Sequence, residues 1–145
     1  MAIFDAMFEF SDDQVVTDTD VASTNILDWV KSDLEMGTGE PLWLNVRVGT
    51  VFAGGTSITF SLRHDSVAPI DGSSIVIFQT PAILTAALTA GAWVLRVPLP
   101  ANVDEGQILG LWYDVDGTMS GGTINAWIDH GSQSSFDTQV TTSNI

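Results

Sequence analysis

Two runs of alternating apolar and polar residues, within residues 41–65, constrain the fold of this chain most strongly. A period of two is typical of a half-buried β-strand. The apolar face of the first run carries Leu42, Leu44, Val46 and Val48, and that of the second carries Ile58, Phe60 and Leu62. The opposite faces carry Trp43, Asn45, Arg47 and Gly49 in the first run and Ser57, Thr59, Ser61 and Arg63 in the second. A glycine-rich turn at 53–56 separates the runs. The pattern predicts an antiparallel hairpin with one face in a core and the other in water.

The rest of the chain predicts seven to nine short strands separated by turn residues. Residues 108–115 are apolar on both faces, which indicates a central or subunit-facing strand. Residues 23–36 fit either a helix or a strand followed by a loop or one helical turn, and we favour the strand. Residues 81–90 fit a turn of helix or a loosely packed strand. The predicted fold is all-β, an antiparallel jelly-roll-like sandwich or barrel.

The chain length of 145 residues and the hydrophobic content of 45% suit one globular domain with its own core. Within this single β domain, 1–145, we expect three parts. Residues 1–22 form an N-terminal arm or edge strand, residues 23–129 form the jelly-roll core, and residues 130–145 form a polar tail.

The net charge of −14, from 18 acidic residues against 4 Lys and Arg, restricts the partners of the chain. Nucleic acid and anionic membranes both require a basic surface, so neither is expected as a partner. A basic protein surface would be favoured instead. The absence of cysteine excludes disulfides and thiolate metal sites. No apolar run is long enough for a membrane-spanning helix, and the N-terminus lacks the basic region of a signal peptide.

A search for catalytic residues finds only weak candidates. His64 precedes Asp65, and Ser61 or Ser66 could complete a triad, but a nucleophile-elbow motif is missing. Asp114 and Asp116 are a sparse pair of carboxylates, better explained by an Asp-Gly turn than by a metal site. We therefore predict a protein without catalytic activity, cofactor or metal.

Tryptophan and arginine side chains are the best candidates for contacts with a partner. Trp43 and Trp127 are predicted to lie on wet strand faces, where they suit a protein interface or a sugar-binding surface. The other three tryptophans are predicted to lie in the core: Trp29, Trp93 and Trp112. Three arginines are expected to point outward and to pair with carboxylates of the same chain or of a neighbouring subunit: Arg47, Arg63 and Arg96.

Several phrases of the sequence, in this order and spacing, resemble the capsid cement (decoration) proteins of tailed double-stranded DNA bacteriophages. They are Phe4-Asp5-Ala6, residues 10–17 (FSDDQVVT), residues 23–28 (STNILD), residues 39–42 (GEPL), residues 88–91 (LTAG) and residues 109–115 (LGLWYDV). The likeness covers roughly residues 3–129. Residues 29–38 and the tail after Asp129 depart from the family pattern.

The resemblance implies a non-enzymatic jelly roll that associates as a homotrimer. It implies binding to the outer capsid surface of a virion at three-fold or quasi-three-fold positions, where copies bridge subunits of the major capsid protein. Such a protein is made in the host cytoplasm. The alternative from the residues alone is a carbohydrate-binding β-sandwich module used for host adhesion.

The sidedness of the predicted strands assigns candidate contact residues. For the capsid contact we predict Phe4, Phe8, Asp12 and Asp13. For the trimer interface we predict Trp43, Arg47, Leu111 and Tyr113.

Overall fold

The structure, a computed structural model, describes residues 8–17, 19–28, 41–100 and 107–130. In these residues the regular structure is β, apart from one 3-10 turn at Thr85–Ala87. The strands are β1 (Glu9–Val15), β2 (Val21–Ala22), β3 (Leu27–Asp28), β4 (Trp43–Val48), β5 (Ala53–Gly54), β6 (Ser57–Asp65), β7 (Ile75–Gln79), β8 (Ile83–Leu84), β9 (Trp93–Pro98), β10 (Ile108–Asp116), β11 (Met119–Gly121) and β12 (Thr123–Asp129). Within the described residues, no helix has the length and apolar character needed to cross a membrane.

Two antiparallel sheets pack face to face. The first sheet has the strand order β1-β12-β4-β9, and the second has the order β2-β10-β6-β7, with β3 paired to β10 and β8 paired to β6. The chain crosses repeatedly between the sheets, and its first strand lies beside its last. This connectivity is that of the jelly roll, a sandwich of two Greek keys. The predicted all-β sandwich is confirmed.

The predicted hairpin between the two alternating runs is wrong, although both runs are strands. β4 pairs with β12 and β9 in the first sheet, whereas β6 pairs with β10 and β7 in the second. The glycine-rich segment bends the chain with a positive φ at Gly54 and Gly55, as expected, but it does not close a hairpin, since β5 pairs there with β11. The alternation determines which face of each strand is apolar. Both apolar faces are buried equally well when the strands lie in opposite sheets, facing each other across the core.

The inner faces of the two sheets form one hydrophobic core. Phe60 and Tyr113 are paired across β6 and β10, and their rings meet edge to face with centroids 5.6 Å apart. Leu111 and Tyr113 are fully buried in this core. They have no surface to offer to another folded chain, so their assignment to a trimer interface is corrected. The run that is apolar on both faces forms β10, a central strand of the second sheet, where apolar side chains are favoured because they are removed from water.

A buried chain of hydrogen bonds joins the two sheets inside the sandwich. The Ser11 hydroxyl donates to Gln14 Oε1 at 2.6 Å and lies 2.7 Å from the Tyr113 hydroxyl. Because the single Ser11 proton is used towards Gln14, Tyr113 donates to Ser11. Gln14 in turn donates to the Ala22 carbonyl at 2.7 Å. The network therefore links β1 of the first sheet to β2 and β10 of the second.

The outer face of the second sheet is covered rather than wet. Arg63 is 8% exposed, and its guanidinium donates to the Asp71 and Gly72 carbonyls at 3.0 and 2.8 Å. Ile70, from the same loop, packs above Gly110 of β10. The loop after β6 therefore folds back over this face. Arg63 lies on the outer face of β6 as expected, but its donors in the described residues go to Ser61 and to backbone carbonyls rather than to a carboxylate.

The buried core begins earlier in the chain than predicted. Phe10 in β1 and Val16 just after it are fully buried, so the core begins well before residue 23. Residues 9–15 are an integral edge strand rather than a free arm. β12 ends at Asp129, as predicted. Two segments are ambiguous in the sequence. In residues 23–36, β3 confirms a strand, and residues 29–36 lie outside the described part. Residues 81–90 contain both β8 and the 3-10 turn. Of the predicted tail, residues 131–145 lie outside the described residues.

Candidate functional site

A groove of about 380 Å³ opens on the outer face of the first sheet. We call it the outer groove. Its lining combines three carboxylates with one cation, one amide, one aromatic ring and small residues: Glu9, Asp12, Asp13, Arg47, Val48, Gly49, Gly91, Asn125 and Trp127. These residues come from β1, β4 and β12 and from the segments flanking β4 and β9. The outer groove thus lies on the face of the first sheet that points away from the core.

A β-bulge places two carboxylates at the rim of the outer groove. Ser11 pairs with Ala126 and Gln14 pairs with Ile124, so Asp12 and Asp13 together oppose a single residue of β12. Asp13 has a φ of 42°, in the left-handed region that Asp tolerates better than most residues. Both carboxylates are exposed. A bulge re-aims side chains, and here it presents two adjacent acids on one side of the strand.

Hydrogen bonds with Asn125 hold the bulge in place. The Asp13 backbone N–H donates to Asn125 Oδ1 at 2.6 Å, and Asn125 Nδ2 donates to the Asp13 carboxylate at 3.1 Å. Thr123 Oγ1 donates to the same carboxylate at 3.3 Å. Gly49 lies directly below, where a Cβ atom would collide with the Asp13 carboxylate and the Thr123 hydroxyl. The rim is therefore preorganised.

Glu9 lies deeper in the outer groove than the two aspartates. Burial raises the pKa of the Glu9 carboxyl, and the negative charge of Asp12 raises it further. Both effects disfavour the charged form of the Glu9 carboxyl. A cationic group entering the outer groove would relieve the repulsion between these carboxylates.

Two arginines are stacked on one tryptophan beside the outer groove. The guanidinium carbon of Arg96 lies 4.4 Å from the Trp93 ring centroid, and that of Arg47 lies 5.3 Å from it. Arg47 Nε also donates to the Gly91 carbonyl at 3.0 Å. Trp127 packs against Trp93 with ring centroids 5.8 Å apart. These intrachain contacts orient both guanidiniums along the sheet.

The tryptophans differ from the prediction in exposure. Trp127 lies on the outer face as expected but is only 2% exposed, because Trp93 packs against it and its Nε1 donates to Asp129 at 3.2 Å. It has no ring face to offer to a sugar, which removes one of the two stacking platforms of the carbohydrate alternative. Trp43 is half-buried, and so are Trp93 and Trp112, which were predicted to be core residues. Trp29 lies outside the described residues.

The weak catalytic candidates are not brought together. Alternation along β6 places His64 on the inner face with Leu62, and Ser61 on the outer face with Arg63. The Asp65 carboxylate accepts hydrogen bonds from Ser74 and from the Ser66 backbone N–H, and these bonds lower its pKa. A Ser61–His64–Asp65 triad is therefore excluded by geometry.

The carboxylate pair considered for a metal lies beside a turn. Asp114 and Asp116 are exposed at the end of β10, and Gly117, with a φ of 88°, turns the chain after them. Among the described residues, no group of three or more His, Asp or Glu side chains is arranged to hold a metal ion.

The four residues predicted for a capsid contact fall in different environments. Asp12 and Asp13 are exposed at the outer groove. Phe8 is half-buried and packs against the core, and Phe4 lies outside the described residues. Trp43 and Arg47, predicted for the trimer interface, are half-buried on the outer face of the first sheet. Sequence reasoning missed Glu9 and Asn125, since nothing in the sequence pairs β1 with β12.

A comparison with protein families adds one finding. The family model Bbp16 matches residues 10–128. The chain belongs to the Bbp16 family. The match runs from β1 to β12 and includes the bulge, the lining of the outer groove apart from Glu9, and nearly the whole sandwich. A search of curated proteins found no match.

Proposed function

We propose that this chain is a non-enzymatic capsid cement protein of a tailed bacteriophage. In this role it binds the outside of the capsid as a homotrimer and bridges major capsid subunits near three-fold positions. The ordered phrases shared with cement proteins support the proposal, and so does the sandwich fold, which exposes binding faces on a rigid scaffold. It acts without nucleic acid, membrane or cofactor.

The observation that carries the proposal is the acidic rim of the outer groove. The carboxylates of Asp12 and Asp13 project from an edge strand, with Glu9 behind them. The nearby Arg47 and Arg96 are held along the sheet by Trp93. The lining of the outer groove has three carboxylates and one arginine, so its net charge is negative. The whole chain carries a net charge of −14. Such a surface complements a basic patch on a capsid subunit and speeds the encounter with it.

The mechanism requires binding energy alone. DNA packed in a phage head pushes the capsid subunits apart. A protein that binds only the expanded lattice stabilises that state by mass action. Three linked copies attach more tightly than one, because the second and third contacts form at high effective concentration.

The test is binding to heads of the encoding phage, assembled without this protein and then expanded. Cosedimentation measures the dissociation constant at low and high salt. We expect wild-type binding to weaken as salt screens the charges. The double substitution Asp12→Asn and Asp13→Asn should raise the dissociation constant about tenfold, the effect of losing about 1.4 kcal/mol.

A matched control separates the site from overall charge. The double substitution Asp114→Asn and Asp116→Asn removes the same charge from exposed positions on the second sheet. It should leave binding within about twofold of wild type, since rim charges elsewhere contribute little. Equal losses in both variants would refute the role of the outer groove. Failure of the wild type to bind heads at any salt concentration would refute the cement function itself.

A further inference from the structure

The second sheet ends in an uncharged, apolar edge. β7 and β8 both pair with the same side of β6, whose other side is covered by β10. Together they form one outer edge over residues 75–84, which we call the edge strip. In the described part of the chain, no strand pairs with the outward side of the edge strip. Its backbone groups are therefore available to another chain.

Apolar side chains are concentrated on the edge strip. Ile75 and Leu84 are each 61% exposed, and Val76 is 42% exposed. They account for three of the six large hydrophobic side chains that are exposed in the described residues. Natural proteins usually protect such an edge with charged residues. This edge has none, so contact with a partner is its best physical explanation.

The distribution of charge identifies that partner as a second copy of the chain. Between Asp71 and Arg96 the sequence contains no Asp, Glu, Lys or Arg. Two copies with a net charge of −14 each repel one another wherever acids meet. The edge strip is where they can approach without facing like charges. A basic partner would instead be attracted to the acidic rim on the other sheet.

We propose that the edge strip forms the contact between copies of this chain. The inference rests on the self-association in the proposed function, and it replaces the buried Leu111 and Tyr113 as contact residues. If strips pair with each other, a two-fold dimer results. If each strip packs on a different surface of the next copy, a closed ring such as a trimer results.

The experiment measures native mass by light scattering over a range of protein concentrations. The test variant is Val76→Lys with Leu84→Lys, which places two charges in the contact. The matched control is Val15→Lys with Val51→Lys, which adds the same charge away from the edge strip, because Val15 of β1 is 61% exposed and Val51, between β4 and β5, is 47% exposed. We expect the test variant to raise the dissociation constant for self-association about tenfold or more, and the control to leave it unchanged.

Hydrogen exchange gives a second readout that does not depend on a variant. Backbone amides of residues 75–79 should exchange more slowly as the wild-type concentration rises, since pairing with another copy protects them. Circular-dichroism melts at concentrations where every protein is monomeric should coincide for wild type and variants, because Val76 and Leu84 are not core residues. A shared melt shows that any loss of association is local.

The outcomes separate this inference from the proposed function. An oligomer of three times the chain mass of 15.5 kDa that the test variant dissociates supports both. A dimer that the test variant dissociates supports the edge strip and refutes the trimer. An oligomer that the test variant leaves intact refutes the edge strip alone. A wild type that stays monomeric at every concentration refutes this inference, while head binding still tests the cement function.

Discussion

The hydrogen bond between Ser11 and Tyr113 provides a demanding test of the fold, because it joins strands of opposite sheets that lie far apart in the sequence. Both residues are fully buried, and their hydroxyls are 2.7 Å apart. We consider three variants: Tyr113→Phe, Ser11→Ala and the double variant. The geometry predicts that the double variant loses less unfolding free energy than the two single variants together.

Tyr113→Phe should be the mildest change. The ring keeps its contact with Phe60, and Ser11 still donates to Gln14. No donor is left unpaired, so the cost is that of one hydrogen bond, about 1 kcal/mol of unfolding free energy.

Ser11→Ala should cost much more. It removes the bond to Gln14, about 1 kcal/mol, and leaves the Tyr113 hydroxyl proton buried without an acceptor, about 1–3 kcal/mol more. Gln14 Oε1 keeps one partner, since it still accepts from the Thr24 N–H at 2.8 Å. The expected loss is about 3 kcal/mol in total.

The double variant should be more stable than Ser11→Ala alone. With both hydroxyls removed, no polar group is orphaned, and the remaining loss is about 1–2 kcal/mol. The two changes therefore couple by about 2–3 kcal/mol. Urea unfolding followed by tryptophan fluorescence measures each free energy, and equal m-values verify that the transitions are comparable.

The control pairs Tyr113→Phe with Ser66→Ala, because Ser66 is exposed beyond the end of β6. This pair should be additive within about 0.5 kcal/mol. If the Ser11 and Tyr113 substitutions were equally additive, the contact between the sheets would not exist as described. The packing of β1 against β10 would then have to be revised.

Two further predictions concern stability. Burial raises the pKa of Tyr113, so above about pH 10 the unfolded chain releases a proton that the folded chain keeps. The unfolding free energy should therefore fall by about 1.4 kcal/mol per pH unit in that range. Tyr113 is the single tyrosine, so tyrosinate absorbance should appear only together with unfolding, and earlier ionisation of the folded chain would contradict its burial. Gly122→Ala should destabilise the fold by about 2 kcal/mol or more, since φ is 138° there and a Cβ would collide with the Phe52 ring. Gly121→Ala, with no atom within 4 Å of its Cβ, should change thermal or urea stability by less than about 0.5 kcal/mol, and equal effects would contradict this geometry.

The candidate site was only partly accessible to sequence reasoning. Asp12 and Asp13 are predicted as contact candidates from sidedness within the N-terminal arm. Their arrangement depends on the bulge opposite Asn125, which lies more than 100 residues away in sequence. Glu9 joins them because β1 is paired with β12. These relationships are tertiary, and no local pattern encodes them.

The amino-acid sequence by itself determined the all-β class and, in the segments that alternate, the strands and their apolar faces. These properties follow from a period of two that each segment carries on its own. Tertiary structure alone decided that β4 and β6 lie in opposite sheets, that a loop covers Arg63 and that Trp93 packs over Trp127. Alternation specifies which side of a strand avoids water, and it contains no information about which strand, loop or ring provides the cover. That choice depends on packing the whole chain at once, where long-range contacts compete for the same apolar surface.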